Sequence, residues 1–503
     1  MSETTASATT AAETTGRLTK SFPVFDCDAH INDPLEIWSE YVAEEDLEAV
    51  RGFYWQDEHQ AILNGRSSVM GGQSHFFRPL YNPIHMAGPQ MNKQITRKLM
   101  MDVVAGKLTE EQVRQVEHDG AFDPHARIRD MDLMGIDQVM IIPTMMVMHV
   151  PFAENPDGAR GFARAYNDWA YDFCQAVPDR LFPAAWLPLQ SPQYTVDEVR
   201  RVADRGFRMG LVRPIDARHK YPNQIGMGGP MGGVGGGTSF DDVYRTMEEC
   251  EMVLGVHTFP APMVTEYYDG QPLDYMVSPG EVTTLASDLS TGQRMESQAL
   301  TFIFEASAWL VQVLLSGFLD RYPNLKMAIL ESNSGWLPSV LAHCDRLFEL
   351  YRRERRAAAT RRPSEAFAEQ CFIAFESDEA PSFRQWKFFQ DFSIWSSDAY
   401  HTDGADVWSA MREMTACGMP EDAQAKMLGA NARRLYRLEP KMFVSEEPAP
   451  LERPQWFPQG EELERFAKLS QDPRQHMDEL IAMMMGNGNG NGNGSEMPSA
   501  SAY

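Results

Sequence analysis

Short apolar runs recur along the chain, and stretches of helical periodicity separate them. The runs are 24–30, 138–144, 181–189, 207–214, 252–258, 326–332, 371–377 and 392–401. Most are too short and too uniformly apolar for surface helices, and they read as strands buried on both faces. The intervening periodicity predicts helices over 127–134, 162–177, 196–205, 241–251, 297–318 and 337–361, the first stopped by Gly135 and the third by Gly206. Eight strands alternating with helices predict an α/β fold, the (β/α)8 TIM barrel.

Residues 35–125 break the alternation. Pro34 opens a helix at its first turn, and the long mixed stretch that follows reads as an inserted helical cap over the barrel mouth. Its Phe53, Tyr54, Trp55, Phe76, Phe77 and Tyr81, with Tyr267-Tyr268, suit either a ring-bearing substrate or packing within the cap. His59, His75 and His85 have no partner at a diagnostic ligand spacing and read as packing or surface residues. The barrel is expected over 21–440, after a disordered N-terminal tail at 1–20. A C-terminal arm at 441–485 and a flexible Gly/Asn tail at 486–503 follow it. The Gly226–Gly237 stretch lacks the GxxxxGK[ST] spacing of a phosphate cradle and reads as a loop.

Composition narrows the partners. A formal charge of −26 leaves no basic surface for nucleic acid or anionic membranes. No apolar run is long enough to span a bilayer, and the N-terminus has no signal-peptide pattern. The six cysteines form no CxxC pair or regular framework, as expected of reduced thiols in a cytoplasmic protein.

The chemistry sits at the strand ends. In the first run, Asp26, Asp28 and His30 are spaced by two, so a regular strand turns all three to one face. Two carboxylates and an imidazole on an inward face need a partner or a cation to offset their charge, and a divalent metal is the simplest candidate. Further strand ends carry His257, Glu331, Glu376, Asp398 and His401. Carboxylate mixed with imidazole suits zinc, manganese or iron better than a thiolate or all-oxygen site. Zinc is the first expectation, with one or two ions. Cys27 falls out of register and is expected to face the outer helices.

These positions resemble the amidohydrolase superfamily, in the branch of aminocarboxymuconate-semialdehyde decarboxylase-like and hydroxybenzoate decarboxylase-like enzymes. The resemblance spans about residues 22–440. It rests on Asp26-Cys-Asp-Ala-His30, the stretch 129–137, Pro178-Asp-Arg-Leu181, Gly255-Val-His-Thr258, the stretch 322–332, Gly335-Trp-Leu-Pro338 and the stretch 395–401. It implies a metal held by Asp28, His30, His257 and Asp398, and a divalent-metal-dependent hydrolase or non-oxidative decarboxylase. Asp28 replaces the commoner first histidine of the pair. Glu331 stands where decarboxylase-like members usually have a histidine, and Arg213 stands where others carry a carbamylated lysine.

Asp398, His401 and Glu331 are the candidate proton-transfer groups, Asp398 acting as general base. Arg213 and Trp336 are the candidate substrate contacts, although Arg213 could equally pair with a neighbouring acid. Asp26 and Glu331 are further candidate ligands. Counted with His401, seven candidates exceed the needs of one four-coordinate ion. That surplus leaves open a dinuclear iron or manganese oxygenase; an inactive partner subunit of a related chain is the remaining alternative. The expected partners are a small organic substrate and further copies of this or a related chain.

Overall fold

The computed structural model describes residues 16–31, 33–34, 36–56, 61–63, 66–67, 107–109, 111–112, 119–144, 150, 155–213, 239–258, 294–355, 357–401, 404–449, 454–457 and 461. Much of the cap, Tyr267-Tyr268 and Gly226–Gly237 lie outside these residues, as do His59, His75 and His85.

Eight strands form one parallel sheet in chain order: β1 (Phe25–His30), β2 (Gln138–Ile142), β3 (Leu181–Trp186), β4 (Met209–Val212), β5 (Val253–His257), β6 (Met327–Leu330), β7 (Cys371–Phe375) and β8 (Ser393–Trp395). At the seam between the first and last strands, Asp398 N donates to Asp28 O at 3.1 Å and His30 N donates to Ala399 O. The sheet is therefore a nearly closed barrel. Each expected run contains its strand, trimmed by a few residues. The strands are buried along nearly their whole length, as expected where helices cover a barrel whose interior is filled by side chains.

The helices start where local chemistry satisfies their first amides. Asp123 caps α1 (Pro124–Met134), Asn155 caps α2 (Pro156–Gln175) and Ser191 caps α3 (Pro192–Asp204), each followed by Pro at the first turn. Ser239 and Asp242 form a capping box at α4 (Phe240–Glu249). Helix α1 ends at Gly135, whose φ of 79° and close approach to the Trp408 ring both demand a residue without Cβ.

After α5 (Arg294–Ser316), the helix expected over 337–361 divides into α6 (Leu337–Leu350) and α7 (Pro363–Gln370). Asp320, in the short helix Phe318–Arg321, accepts from Thr360 N, Thr360 Oγ1 and Arg361 Nε, and so captures the linker. Pro363 then restarts the chain, since it has no amide to continue a helix. Helices α8 (Val407–Ala416) and α9 (Asn431–Tyr436) complete the outer layer. The described part of the insertion holds helices Glu36–Glu40 and Leu47–Phe53. It also holds a three-stranded antiparallel sheet, 54–56, 61–63 and 66–67, which the expected helical cap did not include.

The two ends of the described chain meet at the base of the barrel. Thr19 bridges Glu446, and Lys20 N donates to Ser445 O at 2.9 Å. Buried Asp137 accepts from Lys20 Nζ, Val24 N, Phe443 N and Val444 N. Residues 16–20, expected to be disordered, are tied down by this pairing, and the start of the arm packs on its own barrel. None of the six cysteines is paired, and Cys27 lies by Tyr436 of α9, on the helix side as expected. Among the described residues no helix is long and apolar enough to cross a membrane.

Candidate metal centre

The first strand delivers its polar residues with a shift in register. Pairing runs Asp26 with Val139 and then Ala29 with Ile141, so β1 carries one residue more than β2 between these points. The simple alternation fails at this irregularity. Asp28 and His30 reach the centre, whereas Asp26 turns to β8. Its carboxylate accepts from Ser397 N at 3.0 Å, Ser397 Oγ at 2.5 Å and Asp28 N at 3.2 Å. Asp26 therefore fastens β1 to the loop after β8, and it belongs to neither metal-capable group described below. Burial pushes its carboxyl up to about 7, against the Ser397 hydrogen bonds, which lower it.

Among the described residues two overlapping groups have ligand atoms near enough to share an ion: Asp28, His30 and His257, and His30, Asp398 and His401. His30 Nε2 is 3.3 Å from Asp28 Oδ1 and 3.5 Å from Asp398 Oδ1. His257 Nε2 is 3.4 Å from His30 Nε2 and 3.8 Å from Asp28 Oδ2. His401 Nδ1 is 2.7 Å from Asp398 Oδ1, and its ring stacks on His30 with centroids 3.9 Å apart. Strand ends 1, 5 and 8 thus meet at one rim.

Backbone carbonyls orient the imidazoles. His30 Nδ1 faces Pro143 O at 3.1 Å and His257 Nδ1 faces Thr258 O at 2.6 Å. A carbonyl oxygen only accepts, so in the neutral ring Nδ1 holds the proton and Nε2 presents its lone pair to the centre. Burial lowers His257 to about 4, only partly offset by Asp28, which keeps this ring neutral near pH 7. Both carboxylate oxygens of Asp28 are buried without a hydrogen bond. Converging lone pairs and an unsatisfied buried carboxylate are costly together unless a cation sits among them. The donor set therefore fits a divalent ion.

Glu331 and Asp398 both adopt left-handed backbone, with φ of 51° and 50°. Such conformations cost energy in residues other than glycine and tend to gather at functional sites. The Glu331 turn is pinned by buried Glu379, which accepts from Asn333 Nδ2, Ser334 N, Ser334 Oγ and Glu376 N. Burial, then Asp398, Asp28 and Glu376, push the Glu331 carboxyl well above the usual range. Glu331 faces the centre electrostatically but joins neither ligand group.

Both expected substrate contacts have hydrogen-bond partners within the protein. Buried Arg213 donates through Nε to Glu305 Oε1 of α5 at 2.8 Å, the kind of pairing the neighbouring-acid alternative expects. Trp336 donates its indole N–H to Ser332 O and Asn333 O, bracing its own loop. Thr144 was not singled out from sequence. Its hydroxyl donates to Ile31 O at 2.6 Å while lying 3.2 Å from His30 Nδ1 and 3.4 Å from His401 Nε2. Its place at the end of the second apolar run was the available signal.

The amidohydrolase family model matches residues 25–438. Gamma-resorcylate decarboxylase of Rhizobium sp. (strain MTP-10005) is 22% identical over 347 residues, covering 67% of this chain and 93% of that protein. Among solved structures, an amidohydrolase of Mycobacterium avium subsp. paratuberculosis K-10 aligns with TM-score 0.59 at 17% identity, over 83% of this chain and 99% of the other. IDCase of Metarhizium anisopliae aligns with TM-score 0.51 at 14% identity, over 83% and 97%. At these identities the structures speak to the fold alone, and the family match spans all eight strands. The chain is an enzyme that belongs to the amidohydrolase family.

Proposed function

We propose that the chain holds a divalent metal ion through Asp28, His30, His257 and Asp398 and carries out non-oxidative decarboxylation of a small aromatic hydroxy acid. The observation that carries the metal reading is the convergence of two imidazole lone pairs on the unsatisfied Asp28 carboxylate. The substrate class is suggested by the gamma-resorcylate decarboxylase relative. Bound there, the ion would polarise a substrate oxygen and stabilise the charge that develops on it.

The chain's own groups handle the proton. In this reaction the bond between ring carbon and carboxylate breaks, carbon dioxide leaves, and the ring carbon takes a proton. The Asp398–His401 pair, in contact at 2.7 Å, is placed to pass that proton. His401 is a quarter exposed and can exchange its proton with solvent. The stacked His30 ring and Thr144 Oγ1 limit how far the His401 imidazole can turn.

A second reading, a dinuclear oxygenase, is favoured by one observation: Asp398, Asp28 and Glu376 lie close enough to Glu331 to raise its proton affinity. Metal content of protein purified without chelators, with carbon dioxide release from gamma-resorcylate and related ortho-hydroxy aromatic acids, separates the two. One ion per chain and release abolished in D28N support the decarboxylase. Two ions that fall to one in E331Q, with oxygen consumption, favour the oxygenase. Full carbon dioxide release by metal-free protein would overturn both.

A further inference from the structure

Arg127 lies on α1 and is 2% exposed, one of the largest fully buried side chains. Its Nη1 donates to His30 O at 2.9 Å and approaches Gly120 O at 3.4 Å. Its guanidinium carbon sits 4.6 Å from the centroid of the Tyr400 ring, in cation–π geometry. One turn along α1, Asp130 accepts from Tyr400 Oη at 2.5 Å. Gly120 leaves the room: a Cβ there would strike Tyr400 Oη, Asp130 Oδ2 and the Arg127 backbone.

These contacts reach both ligand-bearing segments of the centre. His30 closes β1, and its backbone amide and carbonyl are both held, the amide by Ala399 O and the carbonyl by Arg127. Tyr400 stands between Asp398 and His401, so fixing its ring and hydroxyl fixes the loop that carries them. Helix α1 provides a firm base, since it is capped by Asp123 and Leu133 O in its last turn accepts from Trp408 Nε1.

We propose that Arg127, acting with Asp130 through Tyr400, is the positioning residue that sets His30 against Asp398 and His401 for metal binding. It touches no candidate ligand atom and works through the His30 carbonyl and the Tyr400 ring. A planar guanidinium can do both at once: it donates in its plane and offers its face to the ring. The proposal rests on the metal reading given above. It concerns the spacing of the ligands rather than their identity.

The test compares wild type, R127K, R127M and Y400F as full-length protein loaded with Co(II), with Zn(II) as competitor. Metal dissociation constants come from chelator competition, coordination from the visible absorption of the bound cobalt, and thermal midpoints from metal-free protein. R127M is expected to bind metal ten- to a hundredfold more weakly with altered cobalt bands, as losses outside the ligand shell typically do. Y400F keeps the ring and should show a smaller loss of the same kind, and R127K should fall between wild type and R127M. If R127M does not fold, R127K and Y400F decide the matter by the same readouts. A lowered midpoint with affinity and cobalt bands unchanged would make the network merely structural and overturn the proposal. Wild type that binds no divalent ion would instead remove the metal reading beneath it, a result distinguishable from failure of the clamp.

Discussion

His30 and His257 bring their Nε2 atoms within 3.4 Å of each other while each Nδ1 is held by a backbone carbonyl. Two neutral imidazoles so arranged point lone pair at lone pair, with the Asp28 carboxylate beside them. With both rings neutral, a cation placed among these atoms would offset the opposed lone pairs and the carboxylate charge. Stripping metal with a chelator should lower the thermal midpoint, and returning zinc, manganese or iron should restore it. At a hundredfold excess over its dissociation constant a bound ion contributes about 2.7 kcal/mol. Scanning calorimetry with and without each metal checks this, and D28N should lose the response. Equal midpoints in chelated and metal-loaded wild type would refute it.

Thr144 joins the two halves of the centre. T144V keeps the shape and removes the hydroxyl that lies between His30 Nδ1 and His401 Nε2. We expect metal affinity to weaken by about tenfold, in line with groups that orient ligand histidines. Isothermal titration of the metal-free variant against wild type reads this directly. T144S, which restores the hydroxyl, should recover most of the loss.

Gly135 ends α1 in left-handed backbone against the Trp408 ring. G135A adds a conformational cost of about 1–2 kcal/mol and a clash costing roughly 1–3 kcal/mol. A lower urea midpoint with the slope unchanged is the expected result. Because α1 also carries Arg127 and Asp130, metal affinity should weaken with it.

Asp320 gathers the linker between α6 and α7. Its hydrogen bonds from Thr360 and Arg361 outweigh burial and hold its carboxyl below the usual carboxylate range. The folded state therefore binds this proton less readily than the unfolded chain. Its contribution is complete above the unfolded value near 4 and fades as pH falls through the lower native one. D320N should cost about 1–2 kcal/mol at pH 7, and the gap from wild type should close below pH 4. Urea unfolding at several pH values checks this; a gap that stays constant into acid contradicts it.

Much of the architecture could be read along the chain. Apolar runs short enough for strands and separated by helical periodicity imply the barrel, because a two-sided buried strand and a one-sided buried helix leave different local patterns. Asp28, His30, His257, Asp398 and His401 were legible for the same reason, as each interrupts or follows a run that is otherwise core. Direction was not legible. The extra residue in β1 sends Asp26 to Ser397, a partner 371 positions away. Arg213 finds Glu305 on α5, and Trp336 spends its N–H on its own loop. Thr144 and Arg127 matter through what they touch across the barrel, and one-dimensional spacing holds no trace of that. Strand and helix periods are local properties of the backbone. Which polar atom meets which is decided only when distant segments close on one another.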